Sequence, residues 1–206
     1  MGTFLDHIAP GRRNVIQYFF GGISMEKREK LRRNLLALCE GAILIALAEI
    51  LSLIPLYKYP WGGSVDLAML PVLVFCVRWG FGPAMLCSTA HAIFQFLLGG
   101  GLSLGWESII GDYLIAYMVL GIAGLFKGRF YLGATVACAA RFAVHYVVGA
   151  TIWGEYMPEV FFNMTMTTPW IYSALYNGAY MLPDLAMVLV GYYLLRKTPL
   201  QRYLNR

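Results

Sequence analysis

Arg141, His145, Gly149 and Trp153 recur at steps of four along one apolar stretch. At 100° per residue such a set forms one stripe on a helix. An imidazole that donates or accepts, a position without a side chain and a flat indole, in that order, make a plausible pocket wall. Arg141, at the far end of the stripe, is expected to snorkel or to pair with an acid at the membrane surface. One apolar run earlier, a carboxylate, Asp112, sits in "IIGDYLIAY". Inside a bilayer it costs about 3 kcal/mol unless partnered or wetted, which marks it as functional by default. It either pairs with Arg141 or a tyrosine as bundle glue, or awaits a cation. Aromatic density favours the cation: Trp61, Trp106, Tyr113, Trp153 and Tyr172 all fall at the same end of their segments. A carboxylate ringed by aromatic faces suits an organic cation through Coulomb and cation–π attraction.

A further polar set lies in "WIYSALYNGAYMLPD", where Tyr172, Ser173, Tyr176, Asn177, Tyr180 and Asp184 fall within an arc of about 140° on a helix. An aromatic belt with Asn177 bonding a neighbouring helix explains them. So does one wall of the same pocket, and the stripe ending at Trp153 tips the balance toward the pocket. His91 and Gln95, one turn apart, either join the pocket floor or bond between helices. Asp66 is placed to complement a helix dipole. Glu40 is expected to be solvated, and Glu49 has no evident partner.

The segments that must position these groups are long and apolar. The chain has 206 residues, of which 59% are hydrophobic and 13% charged. That is about half the charged share of a soluble domain. Six runs are expected to cross a lipid bilayer as an all-α bundle: 35–57, 65–77, 81–99, 107–126, 130–153 and 169–195, the second being short. With both termini inside, Arg78, Lys127, Arg129, Arg196, Lys197 and the cluster from Lys27 to Arg33 fall on the cytoplasmic side, and only Lys58 falls outside. The outer loops, 58–64, 100–106 and 154–168, are then rich in glycine, aromatics and acid. The net charge of +5 reflects this topology rather than a nucleic-acid surface. Residues 1–34 form a basic cytoplasmic extension, 35–197 the membrane domain and 198–206 a cytoplasmic tail.

Several classes are excluded. The four cysteines are dispersed without metal or redox spacing. There is no phosphate-binding G-x-x-x-x-G-K-[ST] loop, no H-E-x-x-H and no G-x-S-x-G. No cofactor, metal or catalytic residue is implied. The pocket has no arginine near its outer mouth, so an unphosphorylated ligand is expected. Ala42-x-x-x-Ala46 forms a small-residue seam on the first helix, suited to close packing by a partner helix.

Four stretches carry a resemblance: "WGGSVDLAMLPVLVFCVRWG", "GDYLIAYMVLGIAGLF", "RFAVHYVVGATIWGEYMPE" and "PWIYSALYNGAYMLPD". Together, over residues 35–197, they resemble the thiamine-specific S component of energy-coupling factor (ECF) vitamin transporters. The resemblance implies a six-helix membrane subunit of a bacterial cell membrane. Such a subunit binds thiamine and works with a transmembrane coupling subunit and two ATP-binding-cassette ATPases. It implies Asp112 near the thiamine cation, with Tyr113 beside it. It also implies His145, Gly149 and Trp153 from the fifth helix, Tyr172 and Asn177 from the sixth, Trp61 from the first outer loop, and His91. The first helix, with Ala42 and Ala46, resembles the surface that meets the coupling subunit. An S component for another vitamin and a self-sufficient carrier are the alternatives, and a small membrane enzyme using Asp112 and His145 has no positive support.

Overall fold

The computed structural model describes residues 25–98 and 105–204. Residues 1–24 of the basic extension, the glycine-rich residues 99–104 and residues 205–206 of the tail lie outside them. The chain divides into two compact units, Met1–Cys39 and Glu40–Arg206. Residues 25–39 of the first unit are helical. The second unit holds the expected helical bundle.

The membrane helices are α1 (Met25–Ser52), α2 (Met69–Trp79), α3 (Phe81–Leu98), α4 (Trp106–Phe126), α5 (Phe130–Thr151) and α6 (Pro169–Leu195), and the bundle is made of α2 to α6 with residues 40–52 of α1. Five are long and apolar enough to cross a membrane, and α2 is shorter. At 1.5 Å per residue, an eleven-residue helix reaches about 16 Å, half a bilayer core. It survives because it avoids lipid. Met69 through Val77 are buried, and around them sit Ala84, Leu120, Ala123, Ala134, Ala137 and Val188 of the other helices. Lipid-facing positions are apolar instead, as at Leu86, Leu97, Leu125, Leu132, Leu182 and Val190, all exposed. The chain is a multi-pass membrane protein of all-α class.

The structure corrects the expected boundaries where local chemistry intervenes. Helix α1 is already helical at Met25, the first described residue, ahead of the expected residue 35, and ends at Ser52, before Pro55. Two outer loops are hairpins rather than irregular backbone. β1 (Tyr57–Lys58) pairs antiparallel with β2 (Ser64–Val65), and β3 (Val160–Phe161) with β4 (Met164–Thr165). The second hairpin turns through Phe162 and Asn163, both at positive φ, as a two-residue primed turn requires. Helix α4 is not uniform. It passes from α-helix into a π-helical stretch at Ile109–Ile115 and ends in a 3-10 segment, Val119–Phe126.

Glu40 is not solvated. Its carboxylate meets Arg78 Nε at 2.8 Å and accepts the Tyr203 hydroxyl at 2.6 Å. The Arg78 guanidinium also lies 4.0 Å from the Tyr203 ring centre and donates to the Tyr203 carbonyl. Burial and the Glu40 carboxylate push the Tyr203 phenol above its ordinary value, so it remains a donor. The expected tail therefore folds back as a short helix, α7 (Gln201–Leu204), clasped to the bundle.

Candidate functional site

A cavity of about 840 Å³ opens among α3, α4, α5, α6 and the first hairpin. Its distinctive feature is the Asp112 carboxylate. One oxygen receives His145 Nδ1 at 2.9 Å and the other receives the Trp153 indole N–H at 2.7 Å. The π-helical stretch carries Asp112 and Tyr113, and such segments concentrate at functional sites because the extra residue per turn redirects side chains. Trp153 reaches the carboxylate because α5 ends at Thr151. The Trp153 amide then bonds Val148 O, which wraps the indole back over the helix end. With Nδ1 donating to Asp112, the neutral imidazole keeps Nε2 as an acceptor, and Nε2 has no partner among the described residues.

Helix α6 forms the second wall. Tyr172, Tyr176, Tyr180 and Asn177 line the cavity. Asn177 is heavily engaged by the protein. Its Nδ2 donates to Ser173 O at 2.9 Å and His145 O at 3.3 Å, and its Oδ1 accepts the Tyr180 hydroxyl at 2.8 Å. These bonds tie α5 to α6 behind the pocket. Gly149 lies at the same contact. A Cβ there would stand 2.4 Å from Ser173 Oγ, so the bare position serves helix approach, not only ligand access. The Tyr172 hydroxyl bonds no protein group among the described residues, and its ring meets Phe161 edge-on at 5.1 Å.

The two hairpins form the roof. Trp61 lines the cavity, with its ring edge-on to Phe161 and Phe162 at 5.4 Å each and tilted against Tyr59 at 5.1 Å. Gly62 and Gly63, at φ 104° and 80°, lie so close to Tyr176 and Tyr180 that a Cβ would approach those side chains to 2.5 and 2.7 Å. No other residue makes that turn against those rings without strain. Pro183 removes one amide from α6 and leaves the Ala179 carbonyl without its helical donor; the Tyr59 hydroxyl supplies a bond at 3.0 Å.

Of the expected ligand residues, Asp112, Tyr113, His145, Gly149, Trp153, Tyr172, Asn177 and Trp61 line this one cavity. His91 does not. It is fully buried, its Nδ1 is 2.7 Å from Glu49 Oε1, and its ring meets Tyr117 edge-on. A buried carboxylate needs a donor, and His91 and Gln95 both serve Glu49, with Gln95 Nε2 at 3.0 Å. The partner that Glu49 lacked in the sequence is therefore the residue expected at the pocket. Arg141 does not snorkel either. It is 6% exposed and lines the inner end of the cavity, its guanidinium 4.2 Å over the Tyr117 ring. Asp66 does precede α2, accepting from the Ala68 amide at 2.9 Å, but its own amide also holds Asp184. Sequence reasoning placed Asp184 in the polar set of the sixth helix without giving it a contact of its own, and left out Tyr117 and Met69; all three line the cavity. Asp184 lay on the polar face of the sixth helix, and that was the available signal. Ala42 and Ala46 are exposed on α1, away from the cavity lining.

The chain is similar to known proteins along most of its length. The thiamine transporter ThiT of Bacillus subtilis is 28% identical over 170 residues, covering 74% of this chain and 85% of that protein. The thiamine transporter ThiT of Lacticaseibacillus paracasei is 27% identical over 180 residues, covering 77% and 87%. The solved structure of ThiT from Listeria monocytogenes superposes with a TM-score of 0.70 at 26% identity, covering 82% of this chain and 97% of that one. The model of the thiamine transporter protein family (Thia_YuaJ) matches residues 38–203, and this chain belongs to that family.

Proposed function

We propose that this chain is the thiamine-binding membrane subunit of a vitamin uptake system, without catalytic activity of its own. The carrying observation is the Asp112 carboxylate, held by His145 and Trp153 at the wall of an aromatic-lined cavity. Thiamine combines a fixed-charge thiazolium with a flat aminopyrimidine. The neutral imidazole leaves the negative charge on Asp112, which attracts the thiazolium. The His145 ring lines the cavity beside Asp112, and Trp153, Tyr172 and Trp61 offer ring faces. The aromatic roof lies at the end poor in basic residues, so the cavity opens outward. Energy comes from an ECF module, a transmembrane coupling subunit with two ATP-binding-cassette ATPases. Ala42 and Ala46, exposed at small-residue spacing on α1, suit close packing against that coupling subunit.

Calorimetric titration of the purified chain against thiamine, riboflavin and biotin tests the reading. Saturable binding of thiamine alone is expected. Equal or tighter binding of another vitamin overturns the assignment. Thiamine uptake by the lone chain in liposomes without ATPases overturns the dependence on a coupling module.

A further inference from the structure

The inner end of the cavity contains charged groups that the thiazolium and aminopyrimidine contacts above do not use. Arg141 is 6% exposed and forms no ion pair among the described residues. One terminal nitrogen approaches Met69 Sδ at 2.8 Å, a weak acceptor, and Nε has no partner among the described residues. A guanidinium carries five donors, and buried donors without acceptors are costly. Asp184, 4% exposed, faces the same space. One of its oxygens accepts the Asp66 amide at 2.9 Å, and the other bonds no protein group among the described residues. Arg141 and Asp184 line the same cavity without meeting as an ion pair among the described residues.

Resting on the functional reading above, we infer that Arg141 and Asp184 form a subsite that seats a free alcohol at the end of the ligand and rejects the same arm once phosphorylated. A hydroxyl accepts from the guanidinium and donates to the carboxylate at once, satisfying both. An ammonium group lacks the acceptor, and a phosphate dianion lacks the donor. The local balance also disfavours a phosphate, because Asp66 and Asp184 set two carboxylates against one guanidinium at this end. Preference for the unphosphorylated vitamin therefore does not come from a lack of arginine. It comes from a buried arginine balanced by acids. On thiamine the alcohol is the end of the hydroxyethyl arm.

Titration of purified wild type, Asp184→Asn and Arg141→Met with three probes tests this: thiamine, thiamine monophosphate and the analogue whose arm ends in methyl. Asparagine keeps an acceptor for the Asp66 amide while removing the charge. The wild type is expected to prefer thiamine over the monophosphate by tenfold or more, with Asp184→Asn narrowing that ratio at least fivefold. Arg141→Met should weaken thiamine at least fivefold more than the methyl analogue. Unchanged ratios in both variants, with thiamine still bound by the wild type, overturn the subsite alone. A wild type that binds none of the three overturns the functional reading itself. If Arg141→Met fails to fold, the Asp184→Asn ratio decides.

Discussion

Asp112→Asn removes one charge and little volume, so its effect on affinity can be worked from the geometry. A thiazolium about 4 Å from the carboxylate gains about 4 kcal/mol at an effective dielectric constant near 20. The Asp112 side chain is 18% exposed, and the cation loses hydration on entry, so about half that gain should remain. The substitution also turns an amide NH2 toward either His145 Nδ1–H or the Trp153 indole N–H. That donor-to-donor contact costs about 1–3 kcal/mol, but it exists with and without ligand. It lowers stability more than affinity. The expected loss of thiamine affinity is thus about 2 kcal/mol, or about 30-fold. Isothermal calorimetry on Asp112→Asn and wild type measures it. The neutral aminopyrimidine half of thiamine is the control: it carries no fixed charge, so its affinity should fall by less than threefold. A thiamine affinity within threefold of wild type would refute the cation–carboxylate argument. Equal losses for thiamine and the pyrimidine fragment would show that the variant distorts the pocket instead.

The other expectations follow from single contacts. Trp153→Ala removes a ring face and an indole bond to Asp112, and should weaken thiamine at least tenfold by fluorescence or calorimetric titration. Gly149→Ala sets a methyl against Ser173 Oγ and should lower unfolding stability by about 2 kcal/mol; adding Ser173→Ala should recover part of the melting temperature. Tyr59→Phe leaves the Ala179 carbonyl without a donor, a loss of about 1–2 kcal/mol read from thermal unfolding in detergent. Glu40→Gln loosens the Arg78–Tyr203 clasp, which should speed proteolytic removal of the carboxyl-terminal segment with thiamine affinity unchanged.

Periodicity made the bundle legible because lipid imposes a long apolar run on each spanning helix. The last helix was read as 169–195, and α6 has those bounds. The short α2 was harder, since a helix hidden from lipid need not be long. The hairpins escaped notice because two-residue strands leave no alternating pattern to read. The pocket was legible where one helix carried the whole signal, as along Arg141, His145, Gly149 and Trp153. It was illegible where a contact joins distant segments. Glu49 and His91 are 42 residues apart, and nothing local says that a buried acid has claimed the histidine. Arg141 was misjudged for a related reason. Its position on α5 suggests a route to the headgroups, but the guanidinium turns toward Tyr117 and Met69.

The bonding pattern also divides the cavity's enclosure by mechanical role. The first hairpin is joined to α6 at three places: Tyr59 to Ala179 O, Tyr176 to Trp61 O at 3.2 Å, and the Asp66 amide to Asp184. Helix α6 is in turn bonded to α5 through Ser173 to Tyr146 O at 2.8 Å and through Asn177. Where the hairpins meet, Trp61 makes ring contacts with Phe161 and Phe162. Edge-on rings slide past one another at little cost, whereas a buried hydrogen bond that breaks leaves polar groups unsatisfied. The seam between the two hairpins, made of ring contacts at Phe161 and Phe162, is therefore the looser edge of the roof, while the first hairpin stays bonded to α6. A ligand entering by that edge would meet the aromatic faces and the carboxylate before its far arm reaches the guanidinium.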